Sequence, residues 1–169
     1  MEAAELRALQ QPLKDRYRSD PASALTPVAA TARFVGPGVA VEVDQAAGSA
    51  RAGLHRATGG DGSESCSGDM LLEALLACAG VTLRSVATAM GLKITVGRAR
   101  AEGVFDARGT LAVDRSAPVG LQQVAVVFEV GTDADDGALQ RLASATERYC
   151  VVGQSLTPSP RFEVRRVLA

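Results

Sequence analysis

Two cysteines in helix-like segments are the residues best suited to covalent chemistry. Cys78 lies inside the apolar run MLLEALLACAGVTL, and Cys150 ends the polar run ATERYC. A reactive thiolate can attack a peroxide to form a sulfenic acid, which a second thiol then captures as a disulfide. This chemistry needs two thiols and no metal. The alternative is that both thiols are packed side chains, because free cysteine is among the most buried residue types.

The rest of the composition argues against other kinds of site. The chain has one histidine, His55, and no CxxC pair, so neither a cysteine/histidine zinc site nor a Cys-His or Ser-His catalytic pair is expected. The formal net charge of −1 gives no basic field that would attract nucleic acid. We therefore expect no metal, no cofactor and no nucleic-acid partner.

Targeting signals are also not expected. The first 20 residues contain no apolar signal core, and three cysteines in such a chain suggest reduced thiols in the cytoplasm. The longest apolar run is interrupted by Glu73 and spans only about half of the roughly 20 residues that a membrane helix needs. The sequence therefore predicts a cytoplasmic protein with no membrane partner.

The N-terminal segment differs from the rest of the chain. Leu6, Leu9 and Leu13 recur at helical spacing and predict a short amphipathic helix over residues 2–18. Prolines at positions 21 and 27 then interrupt the chain. We expect a helical extension over residues 1–27, followed by a single domain over residues 28–169.

A central helix is the strongest element that the sequence predicts. It begins near Ser67 or Asp69, ends near Gly91, and is apolar on nearly every face, which is typical of a helix buried on all sides. A second helix is predicted over DADDGALQRLASATERYC. Strands, arranged as an antiparallel meander after the central helix, are predicted over residues 31–43 and 51–57, LKITVGRARAEGVF, GTLAVD, LQQVAVVFEVGT and RFEVRRV. The order predicts an α+β fold with a sheet wrapped over a buried helix.

These segments together resemble the OsmC/Ohr family. LLEALLACAGVTLRSVATAMGLKI is similar to the central cysteine helix of that family, and ATERYCVVGQSL is similar to its second cysteine motif. The GGDG loop ahead of the first motif and the spacing between the two motifs also match. The resemblance covers roughly residues 28–167.

The resemblance implies a fold, an activity and a set of partners. The fold is an intertwined homodimer in which two central helices are embraced by two shared antiparallel sheets. The activity is a thiol-dependent peroxidase that reduces organic hydroperoxides in the response to oxidative stress, with a hydroperoxide substrate and a thiol reductant as partners. By position, Cys78 is the peroxidatic cysteine and Cys150 is the resolving cysteine.

Three positions depart from the pattern of the hydroperoxide-resistance branch. Its arginine in the first strand turn corresponds best to Arg33, about three residues early, and its glutamate before the central helix falls on Gly68, with Asp69 one residue later. The usual proline after the second cysteine is Val151. The chain therefore resembles the broader OsmC-like group more than that branch, and we list Arg33 and Asp69 as candidate catalytic residues. Cys66 lies outside both motifs and is expected to be incidental.

Two other functions remain open at this level. The same fold could bind an apolar ligand without turning over peroxide, or it could form the disulfide as a redox signal read by a partner protein. The cysteine motifs alone favour the peroxidase. The departures at the arginine and glutamate positions shift the balance towards these two alternatives.

Overall fold

The computed structural model describes residues 2–36, 38–95 and 97–167. The helices are α1 (Ala3–Ser19), α2 (Ser67–Ala89), α3 (Ala107–Thr110), α4 (Asp136–Tyr149) and α5 (Val151–Gln154). The strands are β1 (Ala32–Phe34), β2 (Val41–Gln45), β3 (Gly48–Gly53), β4 (Ser65–Cys66), β5 (Gly97–Val104), β6 (Gln122–Val130) and β7 (Arg161–Arg166). This mixture confirms the α+β class.

The chain forms two compact units. One contains Met1–Pro27, Leu75–Glu102 and Val124–Ala169, and the other contains Val28–Ala74 and Gly103–Gln123. Helix α2 contributes its first turns to the second unit and the remainder to the first. The division into an extension over 1–27 and a single domain over 28–169 stays a prediction.

The unit that contains residues 28–74 is built on a four-stranded sheet. Its strand order is β1-β2-β3-β4, with antiparallel β1–β2 and β2–β3 ladders and a short parallel β3–β4 ladder. The β2–β3 turn is tight enough to require Gly48, whose φ of 128° lies in the region that side chains disfavour. Ala52 and Ala117 are the buried apolar residues of this unit among those the structure describes.

The other unit holds most of the buried side chains. Its sheet has the order β5-β6-β7, and β6 and β7 run parallel, with Val126 opposite Phe162. Helix α4 lies between these strands in the chain, as a parallel connection requires. One face of α4 packs into the core because its apolar residues recur at helical spacing. The buried residues of α4 are Ala138, Leu139, Leu142 and Thr146.

Helix α2 spans Ser67–Ala89, close to the bounds that the sequence predicted. The expectation that its apolar run is too short for a membrane is wrong on length, since α2 has 23 residues and could cross a membrane by length and composition alone. Within this chain one face is buried, formed by Leu75, Ala79, Leu83 and Ala87. The opposite face carries Val81, which is 73 % exposed. The helix ends before Gly91, whose φ of 69° stops it.

Two other sequence expectations are wrong. GTLAVD is not a strand, because Asp106 accepts a hydrogen bond from the Arg108 N–H and begins the short helix α3. The strands after α2 do not form a purely antiparallel meander, because β7 returns parallel to β6 after α4. The predicted N-terminal helix is confirmed as α1, in which no residue is buried.

Candidate active site

Helix α2 positions the first thiol. Its buried residues follow one another at intervals of four, so they form one continuous face. Cys78 precedes the buried Ala79 and lies on the flank of that face. Its side chain is half-buried, which leaves the sulfur partly accessible. The helix therefore holds the thiol rigidly and does not seal it in the core.

Helix α4 positions the second thiol. Asp135 caps the start of α4 by accepting a hydrogen bond of 2.6 Å from the Ala138 N–H. At the other end, the Cys150 N–H donates to the Thr146 carbonyl at 3.0 Å, and Cys150 then turns into an extended conformation. Cys150 is fully buried in this turn. Its position is thus fixed by the end of α4 and by the core below it.

The turn after Cys150 is packed around its sulfur. The Gly153 N–H donates to the Cys150 Sγ at 3.3 Å, and this thiol caps helix α5. A Cβ on Gly153 would lie 3.1 Å from the Phe162 ring and 3.3 Å from the Cys150 Sγ. Only glycine fits at this close approach without displacing one of its neighbours.

The two thiols face each other and differ in acidity. Burial acts on Cys78 against ionisation, but the Val152 N–H, the Cys150 thiol, the Val151 N–H and the Thr82 side chain together lower its pKa. Burial raises the pKa of Cys150, and the adjacent Cys78 thiol acts in the same direction. The two shifts therefore favour ionisation of Cys78 over ionisation of Cys150.

The two other candidate residues lie on separate elements. Arg33 is on β1, where its guanidinium lies 2.7 Å from the Glu42 carboxylate and 3.7 Å from the Asp44 carboxylate. Asp69 is exposed in the first turn of α2. Arg33 belongs to the four-stranded unit, whereas both Cys78 and Cys150 belong to the other unit. The structure thus brings the two cysteines together, and it pairs Arg33 with acidic groups of its own hairpin.

Cys66 forms the end of β4 and is half-buried. Its Sγ accepts a hydrogen bond of 3.3 Å from the Gly68 N–H. His55 is also held locally, because its Nδ1 accepts from the Ala57 N–H at 3.0 Å and its ring meets Phe105 edge to face. Neither residue is among the groups that act on Cys78 or Cys150.

Several groups around the thiols were missed by sequence reasoning. Thr82 lies one helical turn after Cys78, so its side chain falls on the same face of α2. Gly153 lies three residues after Cys150, and the backbone N–H groups of Val151 and Val152 follow that cysteine directly. Two features of the sequence could have indicated these groups. One is Gly153 itself, and the other is that position 151 is occupied by valine, which has a backbone N–H, and not by proline, which has none.

Comparison with known proteins identifies the family of this chain. The family model described as OsmC-like protein matches residues 60–165. That match covers more than half of the chain and includes both cysteines. The chain therefore belongs to the family of OsmC-like proteins.

Solved structures show the same fold at low sequence identity. An OsmC-like protein from Mycoplasma pneumoniae matches with a TM-score of 0.66 and 14% identity, over 85% of this chain and 98% of that chain. An organic hydroperoxide resistance protein from Elizabethkingia anophelis gives a TM-score of 0.66 and 14% identity, over 86% and 98%. The organic hydroperoxide resistance protein OhrB of Bacillus subtilis gives 0.57 and 17%, over 84% and 98%. A sequence comparison with curated proteins finds no match.

Proposed function

We propose that this protein is a cysteine-based thiol peroxidase that reduces organic hydroperoxides in defence against oxidative stress. The observation that carries the proposal is the contact between Cys78 and Cys150, in which the pKa of Cys78 is lowered while that of Cys150 is raised. Two similar structures are named for organic hydroperoxide resistance, which supports the same chemistry. We propose the cytoplasm as its location, because the chemistry depends on reduced thiols.

The reaction needs only the two thiols, the peroxide and a reductant. The Cys78 thiolate attacks the terminal oxygen of the hydroperoxide, the O–O bond breaks, and the organic alkoxide leaves and takes up a proton as an alcohol. Cys78 is thereby oxidised to a sulfenic acid. The Cys150 sulfur then attacks the Cys78 sulfur, the S–O bond breaks, and the hydroxyl leaves as water with the proton from Cys150. A thiol reductant returns two electrons and two protons to the disulfide.

Arg33 and Asp69 are proposed to assist this reaction in the assembled protein. A guanidinium near the thiolate would favour its charge and could also orient the peroxide. To act in this way, Arg33 would have to exchange its ion pairs with Glu42 and Asp44, which are weakened because the guanidinium itself is exposed to solvent. Asp69 is the acidic group that lies nearest in sequence to the start of α2.

We further propose that the active form is a homodimer. Along α2, Ala74, Ala77 and Val81 are exposed at alternating spacings of three and four residues, which is the spacing of helix–helix contacts. The exposed small residues would allow a second helix to approach closely. Phe34 on β1 is 92 % exposed, so a second apolar surface is also uncovered in the single chain. A second copy of the chain would cover both surfaces.

The peroxidase proposal is tested by counting thiols under anaerobic conditions. Reduced protein is treated with one defined dose of cumene hydroperoxide or of hydrogen peroxide, and the remaining thiols are titrated. We expect loss of two thiols per chain, formation of a Cys78–Cys150 disulfide in peptide maps, and faster loss with the organic peroxide. Unchanged thiols after cumene hydroperoxide would rule the proposal out.

A binding function is the second candidate, because a cavity of about 230 Å³ lies in the cysteine-bearing unit. Apolar side chains line it, and Arg84 and Arg98 lie at it, so a small amphipathic acid would suit its chemistry. The apolar lining residues with large side chains are Leu83, Ile94, Phe128 and Val130. Binding of a fluorescent fatty acid by protein that consumes no peroxide would favour this function.

A further inference from the structure

A cavity in the unit that contains residues 28–74 is lined by the third thiol of the chain. Its volume is about 240 Å³, and two stretches of that unit enclose it. At about 30 Å³ for each water-sized atom, it has room for about eight non-hydrogen atoms. We call it the Cys66 cavity; the lining residues that matter for its chemistry are His55, Cys66, Gly68, Phe105, Val119 and Leu121.

The pairing of β3 with β4 brings an imidazole and a thiol to this cavity. The two strands are parallel, and Gly53 lies opposite Cys66. Because parallel strands point the same way, the chain leaves both strands at the same end of the sheet. His55 comes two residues after the end of β3, and Cys66 is the last residue of β4. The ladder thus explains why two residues far apart in function and type line one cavity.

The Cys66 thiol is held in place and remains accessible to a small molecule. Its Sγ accepts a hydrogen bond of 3.3 Å from the Gly68 N–H, and the side chain is half-buried. Gly68 leaves space beside the sulfur, because a Cβ there would lie 3.5 Å from Sγ. Two lining side chains, Leu54 and Val119, are exposed, so the cavity opens to solvent.

His55 has one ring nitrogen left for a ligand. Its Nδ1 accepts from the Ala57 N–H at 3.0 Å, so the proton of the neutral ring is on Nε2. The ring meets Phe105 edge to face at a centroid distance of 5.2 Å, which fixes its position. Within residues 2–36, 38–95 and 97–167, Nε2 has no hydrogen-bond partner, and no side-chain nitrogen without a partner is buried. Nε2 is therefore an accessible donor.

The lining selects uncharged molecules. Among the described residues that line the cavity, none is Asp, Glu, Lys or Arg, and Phe105, Val119 and Leu121 supply apolar walls. A charged ligand would lose its hydration here without gaining an ionic partner. A small apolar molecule with one hydrogen-bond acceptor suits the cavity better, because a single N–H donor can orient it.

We propose that the Cys66 cavity binds small, uncharged α,β-unsaturated carbonyl compounds and joins them covalently to Cys66. The Cys66 sulfur bonds to the β-carbon, the C=C π electrons shift towards the carbonyl, and the α-carbon takes up the thiol proton. The product is a thioether, and no oxidant or reductant is consumed. The His55 Nε2–H donates to the carbonyl oxygen as negative charge develops there. This reaction is separate from the proposed peroxidase, which uses Cys78 and Cys150.

The test follows the addition of trans-2-hexenal to reduced full-length protein. Adducts are fixed with borohydride, and cleavage after Glu64 and Glu73 separates the Cys66 peptide from Cys78 for mass spectrometry. We expect the rate at Cys66 to saturate with hexenal concentration. Hexanal, which has the same chain length and no double bond, should slow the reaction by occupying the cavity. A rate that stays linear in hexenal and is unaffected by hexanal would overturn the proposal.

His55→Asn is the matched variant, because asparagine keeps an acceptor for the Ala57 N–H and ends before the position of Nε2. It should slow hexenal addition at Cys66 roughly threefold to tenfold, as loss of one hydrogen bond implies. Its reaction with methyl methanethiosulfonate, which has no carbonyl group, should keep the parent rate. An equal fall in both rates would show that His55 only supports the structure and would overturn its role in the addition. If the variant does not fold, the hexanal competition in the parent protein decides the proposal.

Discussion

Cys150 and Gly153 are buried in the turn between α4 and α5, whereas the hairpin of β1 and β2 leaves Phe34 almost fully exposed. In the turn, each donor next to the sulfur comes from residues of the same unit, and the glycine has no spare room. In the hairpin, the exposed Arg33 is paired with the exposed Asp44 and with Glu42, whose side chain is largely covered, and no residue of β1 is buried.

The contrast indicates which groups of the proposed site are in place within one chain and which would need a second copy. The thiol pair has its shape and its difference in acidity within a single chain. The arginine that would serve it is itself exposed, so solvent screens its ion pairs and each is worth about 1 kcal/mol. A second chain that covered the hairpin could therefore redirect Arg33 at little cost.

The largest expected effect breaks the thiol pair itself. Cys78→Ser should abolish hydroperoxide consumption, and Cys150→Ser should permit one oxidation per chain and then stop, because no thiol captures the sulfenic acid. Rates are measured with one dose of cumene hydroperoxide after the reductant has been removed, because a free dithiol would itself capture the sulfenic acid. Cys66→Ser is the matched control and should keep the parent rate. Full activity in Cys78→Ser would show that the thiols are structural.

The next effect concerns the uncovered surfaces. Val81→Asp should weaken the dimer at least about a hundredfold, because an unpaired carboxylate would be buried against the second copy. Val113→Asp is the control, since Val113 is a valine of equal exposure outside α2. Sedimentation velocity over a range of concentrations measures the association. A parent protein that stays monomeric at micromolar concentration contradicts the dimer.

A smaller effect is expected from filling the space beside the resolving thiol. Gly153→Ala should destabilise the reduced protein by about 1–3 kcal/mol, the usual cost of overpacking. It should also slow disulfide formation, since the new Cβ presses on the Cys150 Sγ. Gly120→Ala is the control, because a Cβ there meets no atom within 4 Å. Urea unfolding measures the stability, and equal losses in the two variants would contradict the tight packing described for Gly153.

The smallest effect should come from the hairpin. Arg33→Ala should slow peroxide consumption at least about tenfold, equivalent to roughly 1.4 kcal/mol of lost thiolate stabilisation, while changing folding stability by about 1 kcal/mol or less. Arg51→Ala is the control, because Arg51 is similarly exposed and is paired with Glu64 at 2.6 Å. If both variants react at the parent rate, Arg33 has no role in the reaction, and the groups of the turn between α4 and α5 suffice to activate the thiol.

Long periodic elements could be predicted from the sequence, and they carry the two cysteines. The leucine spacing of α1, the apolar run of α2 and the stripe of α4 each indicated a helix close to its observed bounds. The prediction of a strand over GTLAVD is wrong because the apolar residues that alternate in this segment are not buried. Leu111 and Val113 in that segment are both exposed, and the local cap at Asp106 decides the conformation instead.

The groups that tune the thiols could not be predicted from residue types. The donors of Val151 and Val152 are backbone atoms, and every residue except proline has such a donor. Their effect depends on α4 ending where Cys78 of another helix comes near, which is a long-range outcome of packing. The parallel pairing of β6 with β7 escaped prediction for a similar reason, since strand direction depends on how the chain returns after α4.

Cys150 ends α4 through its backbone N–H, which donates to the Thr146 carbonyl, and begins α5 through its sulfur, which accepts from the Gly153 N–H. A covalent bond from that sulfur to Cys78 would turn its lone pairs and alter what the Gly153 amide can bond. Oxidation of the thiol pair would then change the hydrogen bonding of the Gly153 amide. The residue that links the two helices would therefore also report the oxidation state of the thiol pair.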